Sequence, residues 1–120
     1  MQVALEKDLR LSIQMMAAQS DRSMKDWILD NILTIHRNVG IETYLSQTYG
    51  SALVLAPPTN VKRFNILIDD PALDVAIEGI ANQLQRTKPQ IVYTLITTIV
   101  RDKNDQISVT SPKPSQSLLG

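Results

Sequence analysis

The sequence predicts a mostly α-helical domain with a short two-stranded antiparallel ribbon, formed by two strand-helix-helix units fused in one chain as a pseudo-dimer. Three observations predict this fold. Residues 63–68 alternate polar and apolar side chains, the period of a strand with one buried face. Two amphipathic helical patterns follow that stretch, and two more lie near the start of the chain. The two halves also align without a gap at a spacing of 64 residues.

Length and composition limit the class of protein. The chain has 120 residues, 43% of them hydrophobic, which is enough for one domain with a packed core. It has no cysteine, so disulfide frameworks, thiolate metal sites and thiol nucleophiles are excluded. The chain lacks a secretory signal pattern and an apolar run of about 18 residues. We therefore expect a cytoplasmic protein that does not enter a membrane.

The net charge is zero, which argues against a protein that binds polyanions through its overall charge. The positions of the cations are more informative than their sum. Half of the 12 lysines and arginines fall at three places that a compact fold could bring together: Arg22, Lys25, Lys62, Arg63, Arg86 and Lys88.

The first half predicts a strand and two helices. Residues 2–5 alternate like a short strand, and residues 7–20 carry the apolar spacing of an amphipathic helix. Ser23 is a favourable N-cap with Asp26 three residues on, which is close to a capping box. A second helix therefore starts here and is expected to end within residues 36–40.

A connector, residues 39–60, joins the two halves. Residues 41–47 could form one or two helical turns, whereas Gly50 and Pro57-Pro58 are turn and linker signals. The expected organisation is one domain (1–110) made of repeat 1 (1–38), the connector (39–60) and repeat 2 (61–103), followed by a flexible tail (111–120).

The second half has the same order of elements. The strand at residues 63–68 leads to Asp70-Pro71, an N-cap followed by proline at the first helical position. A capping box, Thr87-Lys88-Pro89-Gln90, starts the last helix. Gly79 lies inside the helix that starts after Asp70, where it could allow a close approach by another element. Residues 107–110 could form a short extended piece.

The repeat rests on matched positions. Ile13 matches Ile77, and Arg22-Ser23 matches Arg86-Thr87. The strands match if one residue is inserted in the second copy. Two helical hairpins with similar patterns by chance are the alternative, but an arginine followed by a hydroxyl cap at the same register argues against it.

Such a repeat suggests DNA as the ligand. One unit of about 35 residues is too small to be stable alone, whereas two units can pair their strands above four packed helices. The outer face of a two-stranded ribbon fits the major groove, where arginine can contact guanine and asparagine can contact adenine. The N-terminus of each second helix presents N–H groups suited to a phosphate. We therefore expect base contacts in the middle and phosphate contacts on both sides.

The stretch AAQSDRSMKDWI, residues 17–28, resembles the helix–Arg-Ser–helix signature of ribbon-helix-helix DNA-binding proteins of the Arc and MetJ type. Residues 63–96 are similar but diverged. The resemblance implies base contacts from five outward strand residues: Gln2, Ala4, Arg63, Asn65 and Leu67. It implies phosphate contacts at and beside the helix starts: Arg22, Ser23, Met24, Lys25, Lys62, Arg86, Thr87 and Lys88.

The chain departs from that family in several ways. Pro89 removes one N–H from the second phosphate site, and Glu6 is a poor neighbour for a phosphate. Family members are usually homodimers of one unit, whereas this chain holds two, so we expect a monomer with internal pseudo-two-fold symmetry.

The whole chain is also similar to the C-terminal part of plasmid-encoded virulence proteins associated with the overdrive enhancer beside the T-DNA border. That resemblance implies an accessory factor for T-DNA or conjugative-type DNA processing and transfer. Its expected partners are double-stranded DNA and other DNA-processing or relaxosome proteins.

Two other functions compete with DNA binding. An enzyme is disfavoured because Asp69-Asp70 is explained better as a helix cap, and because His36, the only histidine, is expected to complement a helix dipole. We expect no catalytic residue, metal or cofactor, and we place Trp27 and the Met15-Met16 pair in the core. The same four-helix core could instead serve as a protein-interaction adaptor or an antitoxin-like repressor.

Overall fold

The computed structural model describes residues 1–49 and 61–110, with side chains for residues 1–46 and 61–104. It is mostly helical with one two-stranded antiparallel sheet, as the sequence predicts. The turns predicted within 50–60 and the tail predicted at 111–120 lie outside these residues. In chain order the elements are β1 (Gln2–Glu6), α1 (Lys7–Gln19), α2 (Met24–Asn38), α3 (Ile41–Tyr49), β2 (Val61–Asn65), α4 (Pro71–Leu84) and α5 (Lys88–Thr110). Among the described residues, none of these helices is both long and apolar enough to span a bilayer.

The ribbon pairs the start of the chain with the residues that follow the connector. Gln2 lies opposite Asn65, and Ala4 lies opposite Arg63, in the antiparallel register. Directly opposed residues share a face, so these four side chains lie together on the outer side of the ribbon. The alternate residues of β1 are fully buried in the core: Val3 and Leu5.

The second strand is displaced from its predicted position. The sequence predicts it at residues 63–68, but β2 runs over Val61–Asn65, because pairing with β1 sets its limits. Hydrogen bonding continues only to Ile66, whose N–H donates to the Met1 carbonyl at 2.8 Å. Leu67 therefore lies beyond the ribbon, and its predicted place on the strand is wrong. The three residues predicted to face inwards do contact the core: Phe64, Ile66 and Ile68.

The predicted starts of α2, α4 and α5 are confirmed by their caps. Ser23 Oγ accepts a hydrogen bond from the Asp26 N–H at 3.1 Å. Asp70 Oδ1 accepts from two N–H groups in the first turn of α4, at 3.0 and 3.1 Å. At α5 the bonding is reciprocal: the Gln90 N–H donates to Thr87 Oγ1 at 3.3 Å, and the Thr87 N–H donates to Gln90 Oε1 at 2.9 Å. These caps satisfy N–H groups that have no partner inside the helix.

Helices α1 and α4 end in the same way. Asp21 and Gln85 adopt left-handed φ angles of 57° and 56°. The N–H of the following residue then donates to an alanine carbonyl in both halves: Arg22 to Ala17 at 2.9 Å, and Arg86 to Ala81 at 2.8 Å. A left-handed residue with a backward hydrogen bond is a common helix ending. Every residue of this ending in the first half has its counterpart 64 positions later.

The last helix is longer than predicted. Helix α5 runs to Thr110, so the extended piece predicted at 107–110 is wrong. No glycine or proline follows Pro89 until Pro112, and a helix that has started gains one backbone hydrogen bond per added residue. The two fully buried threonines bond within the helix: Thr98 Oγ1 donates to the Thr94 carbonyl at 2.7 Å, and Thr94 Oγ1 to the Gln90 carbonyl at 2.9 Å.

Two expectations about packing are corrected. Trp27 and Met16 are buried as predicted, but Met15 is 61% exposed, because neighbouring residues of a helix face different directions and Met16 takes the buried one. Gly79 does not mark a close approach either. A Cβ atom added there would meet no atom within 4 Å.

The residues between the halves include a third helix. The turns predicted at 41–47 form α3, Ile41–Tyr49. Gly40 has a φ of 93°, a conformation that favours glycine, and it ends α2 by donating its N–H to a carbonyl of the last turn. The Tyr44 hydroxyl of α3 donates to Asp102 Oδ2 of α5 at 2.5 Å, which fastens α3 to the longest helix.

Candidate nucleic-acid interface

The outer face of the ribbon carries three exposed polar side chains. Gln2, Arg63 and Asn65 are exposed, and Ala4 is partly buried between them. The cross-strand register sets the carboxamides of Gln2 and Asn65 opposite each other, with the Arg63–Ala4 pair next along the ribbon. A carboxamide matches the major-groove edge of adenine, and a guanidinium matches that of guanine. Four of the five predicted base-contacting residues thus share one surface, and Leu67 lies outside it.

Glu6 continues the same face at the end of β1, where a carboxylate would repel phosphate. Its Oε1 accepts a hydrogen bond of 2.8 Å from the hydroxyl of Tyr93, which is buried on α5. This bond holds the carboxylate towards α5. The conflict that the sequence suggests between Glu6 and a phosphate is thereby reduced.

Lys62 lies opposite Leu5 in the register but remains exposed near the end of the ribbon. Val61, next to it, pairs with Glu6, so this end of the ribbon is the one joined to α5 through Tyr93. Within the described ranges Lys62 and Arg63 form no ion pair. Two cations without an ion pair to any described residue therefore lie on β2: Arg63 at the middle of the ribbon and Lys62 next to the end that is joined to α5.

The N-terminus of α2 is less favourable for phosphate than the sequence predicts. Met24 and Lys25 occupy its first two positions, where an N–H has no partner inside the helix. The partly buried Met24 side chain packs against the core, so its backbone N–H is the group that suits a phosphate contact. Asp26 lies in the first turn, and Arg22 forms an ion pair with Asp30. The predicted phosphate ligand Arg22 is thus already bound to a carboxylate.

The N-terminus of α5 differs in its donors. The cap occupies the N–H groups of Thr87 and Gln90, and Pro89 has none, which leaves the Lys88 N–H in the first turn. Lys88 Nζ lies 2.7 Å from Asp74 Oδ1, and this hydrogen bond raises the pKa of Lys88 above its ordinary value. The first turn of α5 contains no acid.

Charge therefore distinguishes the two helix ends at which the sequence predicts phosphate contacts. One cleft beside α2 is lined by four carboxylates: Asp26, Asp30, Asp69 and Asp70. The start of α5 is flanked by Arg86, which is exposed and forms no ion pair with any described residue, and by Lys88. A phosphate would meet a more favourable potential at α5 than at α2.

The sequence prediction does not include two features of these surfaces: the carboxylates of the cleft beside α2 and the Glu6–Tyr93 hydrogen bond. Asp26 and Asp30 are four residues apart on one helix, a spacing that places like charges on one face, so this signal was available. The approach of Asp69 to that face depends on the tertiary fold. The Glu6–Tyr93 bond joins residues 87 positions apart, and no local pattern predicts it.

Comparison with known proteins finds no matching family model, curated protein or solved structure. The function is therefore argued from the geometry and charge of the surfaces described above.

Proposed function

We propose that this chain is a double-stranded DNA-binding protein that inserts its ribbon into the major groove. The observation that carries the proposal is the outer face of the ribbon, where Gln2 opposes Asn65 and Arg63 lies next to them. All three side chains are exposed, and their hydrogen-bonding groups suit the edges of adenine and guanine. A two-stranded ribbon has the width that the major groove admits.

The proposal includes two ribbon-helix-helix units in one chain, arranged as a pseudo-dimer. The helix starts support it, because α1 and α4 begin at Lys7 and Pro71, and α2 and α5 begin at Met24 and Lys88, each pair 64 residues apart. The matching left-handed endings at Asp21 and Gln85 support it further.

The register of the ribbon gives a third line of support. With one residue inserted in the second copy, the strands align at a spacing of 63, and Gln2 is then the counterpart of Asn65. These two residues are also directly opposed in the ribbon. A pseudo-two-fold axis would therefore pass through the Gln2–Asn65 pair.

Phosphate contacts are proposed chiefly at the α5 end. Arg86 supplies a cation that has no ion pair with any described residue, and the Lys88 N–H lies at the positive end of the α5 dipole. Lys62 lies at the neighbouring end of the ribbon. At the α2 end, Lys25 and the N–H groups beside Ser23 would contact the backbone more weakly. Recognition would accordingly be asymmetric, with one half-site bound more tightly than the other.

The wider role we propose is that of a cytoplasmic accessory factor for T-DNA or conjugative-type DNA processing, acting as a monomer beside relaxosome proteins. This part rests on the whole-chain resemblance alone. The DNA-binding proposal stands on the ribbon and does not depend on it.

Selection of bound sequences from a random duplex pool, with molar mass measured in solution, tests the proposal. We expect enrichment of a non-palindromic site containing adjacent adenine and guanine positions, bound by one chain. Failure to retain any duplex at low ionic strength would refute DNA binding. A palindromic site bound by two chains would refute the pseudo-dimer.

An adaptor that binds proteins is the second candidate. The carboxylates beside α2 favour it, because a surface of this charge repels DNA and attracts cationic protein segments.

A further inference from the structure

A cleft between α2 and the residues that follow β2 takes no part in the proposed base contacts. Its volume is about 180 Å³. Five aliphatic side chains form its apolar wall: Leu29, Leu33, Leu67, Ile68 and Leu73. Leu67 is 66% exposed, so one large aliphatic side chain of this wall faces water. Exposed apolar surface with a polar rim is typical of an interaction site.

The rim of this cleft determines which partner fits. Asp30 forms an ion pair with Arg22. Asp70 forms a longer one, with 3.9 Å between its Oδ2 and Arg37 Nη2. Asp26 and Asp69 are exposed, and within the described ranges neither forms an ion pair. Two carboxylates without a counter-charge thus lie beside the apolar wall.

We propose that this cleft binds a basic segment of a partner protein that carries at least two cations next to a leucine-sized apolar side chain. The apolar side chain covers Leu67 and the wall, and the cations meet Asp26 and Asp69. Lysine and arginine also bring aliphatic stems that can lie along the wall while their charged ends reach the carboxylates. One ligand of this kind would contact both the apolar wall and the two carboxylates of the cleft.

DNA is excluded as the occupant by charge. Phosphates brought to this cleft would face uncompensated carboxylates, whereas the ribbon and the start of α5 present cations. The cleft and the ribbon therefore serve different partners, and the proposal does not depend on DNA binding.

A fluorescein-labelled synthetic peptide in which lysine pairs alternate with leucines tests the proposal by fluorescence anisotropy at low ionic strength. Two matched peptides replace lysine by glutamate or leucine by serine. The lysine-leucine peptide is expected to bind saturably. Each altered peptide is expected to bind at least about tenfold more weakly, since it lacks the charged or the apolar half of the contact.

Variants of the protein locate the site. The double substitution Asp26→Asn with Asp69→Asn should weaken binding of the lysine-leucine peptide roughly threefold to tenfold. Leu67→Ser should weaken it similarly, and because Leu67 is exposed this change leaves the core intact. The control, Asp8→Asn with Glu78→Gln, removes the same charge at exposed positions outside the cleft and should leave binding unchanged.

Thermal unfolding of each variant establishes that it is folded, and duplex DNA binding is measured on the same samples. Absence of saturable peptide binding to the wild-type protein overturns the proposal. Equal binding by wild type, the double aspartate variant and Leu67→Ser also overturns it. A change in DNA affinity, in either direction, that is larger in the double aspartate variant than in the charge-matched control would make the cleft part of the DNA surface instead. If DNA binding fails in every sample while the peptide results hold, only the proposed DNA function is refuted.

Discussion

Tyr93 of α5 donates a hydrogen bond of 2.8 Å to the carboxylate of Glu6, the last residue of β1. The bond joins the second helix of one half to the strand of the other, across 87 residues of sequence. It therefore links the two halves and also sets the direction of the one acid on the outer face of the ribbon.

Replacing Tyr93 by phenylalanine should lower the free energy of unfolding by about 1.5–3 kcal/mol, the usual contribution of a hydrogen bond to a charged group. Urea unfolding followed by circular dichroism measures the change. Glu6→Gln and the double variant complete a thermodynamic cycle, in which a coupling free energy near zero would contradict the proposed role of the bond.

Arg63→Ala should cost roughly 1–3 kcal/mol of binding free energy on the preferred duplex and little on a random duplex, because a base contact is lost. Gel-shift titration with both duplexes measures the difference. Lys62→Ala is the matched control, and it should weaken both duplexes equally because a phosphate contact carries no sequence information. An equal loss for Arg63→Ala on the two duplexes would identify Arg63 as a backbone contact.

The two arginines before the helix starts should differ in their importance for DNA binding. Arg86→Ala should reduce the slope of log affinity against log salt by about 0.9, as expected for one lost phosphate contact. Arg22→Ala should change the slope much less, because Arg22 is already paired with Asp30. Titrations over a range of salt concentrations decide this, and equal slope changes would show that the Arg22–Asp30 pair opens on DNA.

Lys88 predicts a pH dependence of stability. The hydrogen bond to Asp74 raises the pKa of Lys88 above its ordinary value of 10.5, so the folded state holds this proton more tightly than the unfolded state. The stabilisation is fully present below pH 10.5 and is lost as pH rises through the folded-state pKa.

The unfolding midpoint should therefore fall more steeply above pH 10.5 in the wild-type protein than in Lys88→Met. Lys25→Met is the control, because Lys25 forms no ion pair with any described residue. Identical midpoint curves for wild type and Lys88→Met would rule out the Lys88–Asp74 contact in solution.

Local patterns were sufficient to predict the starts of the main helices. Three capping residues mark these starts: Ser23, Asp70 and Thr87. Their hydrogen bonds join residues at most three positions apart, so a short stretch of sequence is enough to predict each helix start. The alternation around Phe64 identified a strand, but its limits depend on which residues of β1 lie opposite. A local pattern cannot supply that register, and Leu67 was misplaced for this reason.

The charge of the candidate site was harder to predict than its fold. The order of elements brings Gln2, Arg63 and Asn65 to one face, as the alternation suggests. Whether a cation is available depends on side-chain partners from other elements, as with Lys88 and Asp74. The acidity beside α2 likewise arises where Asp69 meets a helix from the other half of the chain.

The strands of the ribbon are about 60 residues apart in sequence, whereas each helical pair is nearly continuous in the chain. Contacts between distant residues carry the larger loop-closure cost, so the helical pairs can form before the strands meet. The surface proposed to contact DNA would then be the last part of the molecule to assemble during folding. A partly folded chain would have helices but no ribbon, and it would not compete with the native protein for a DNA site.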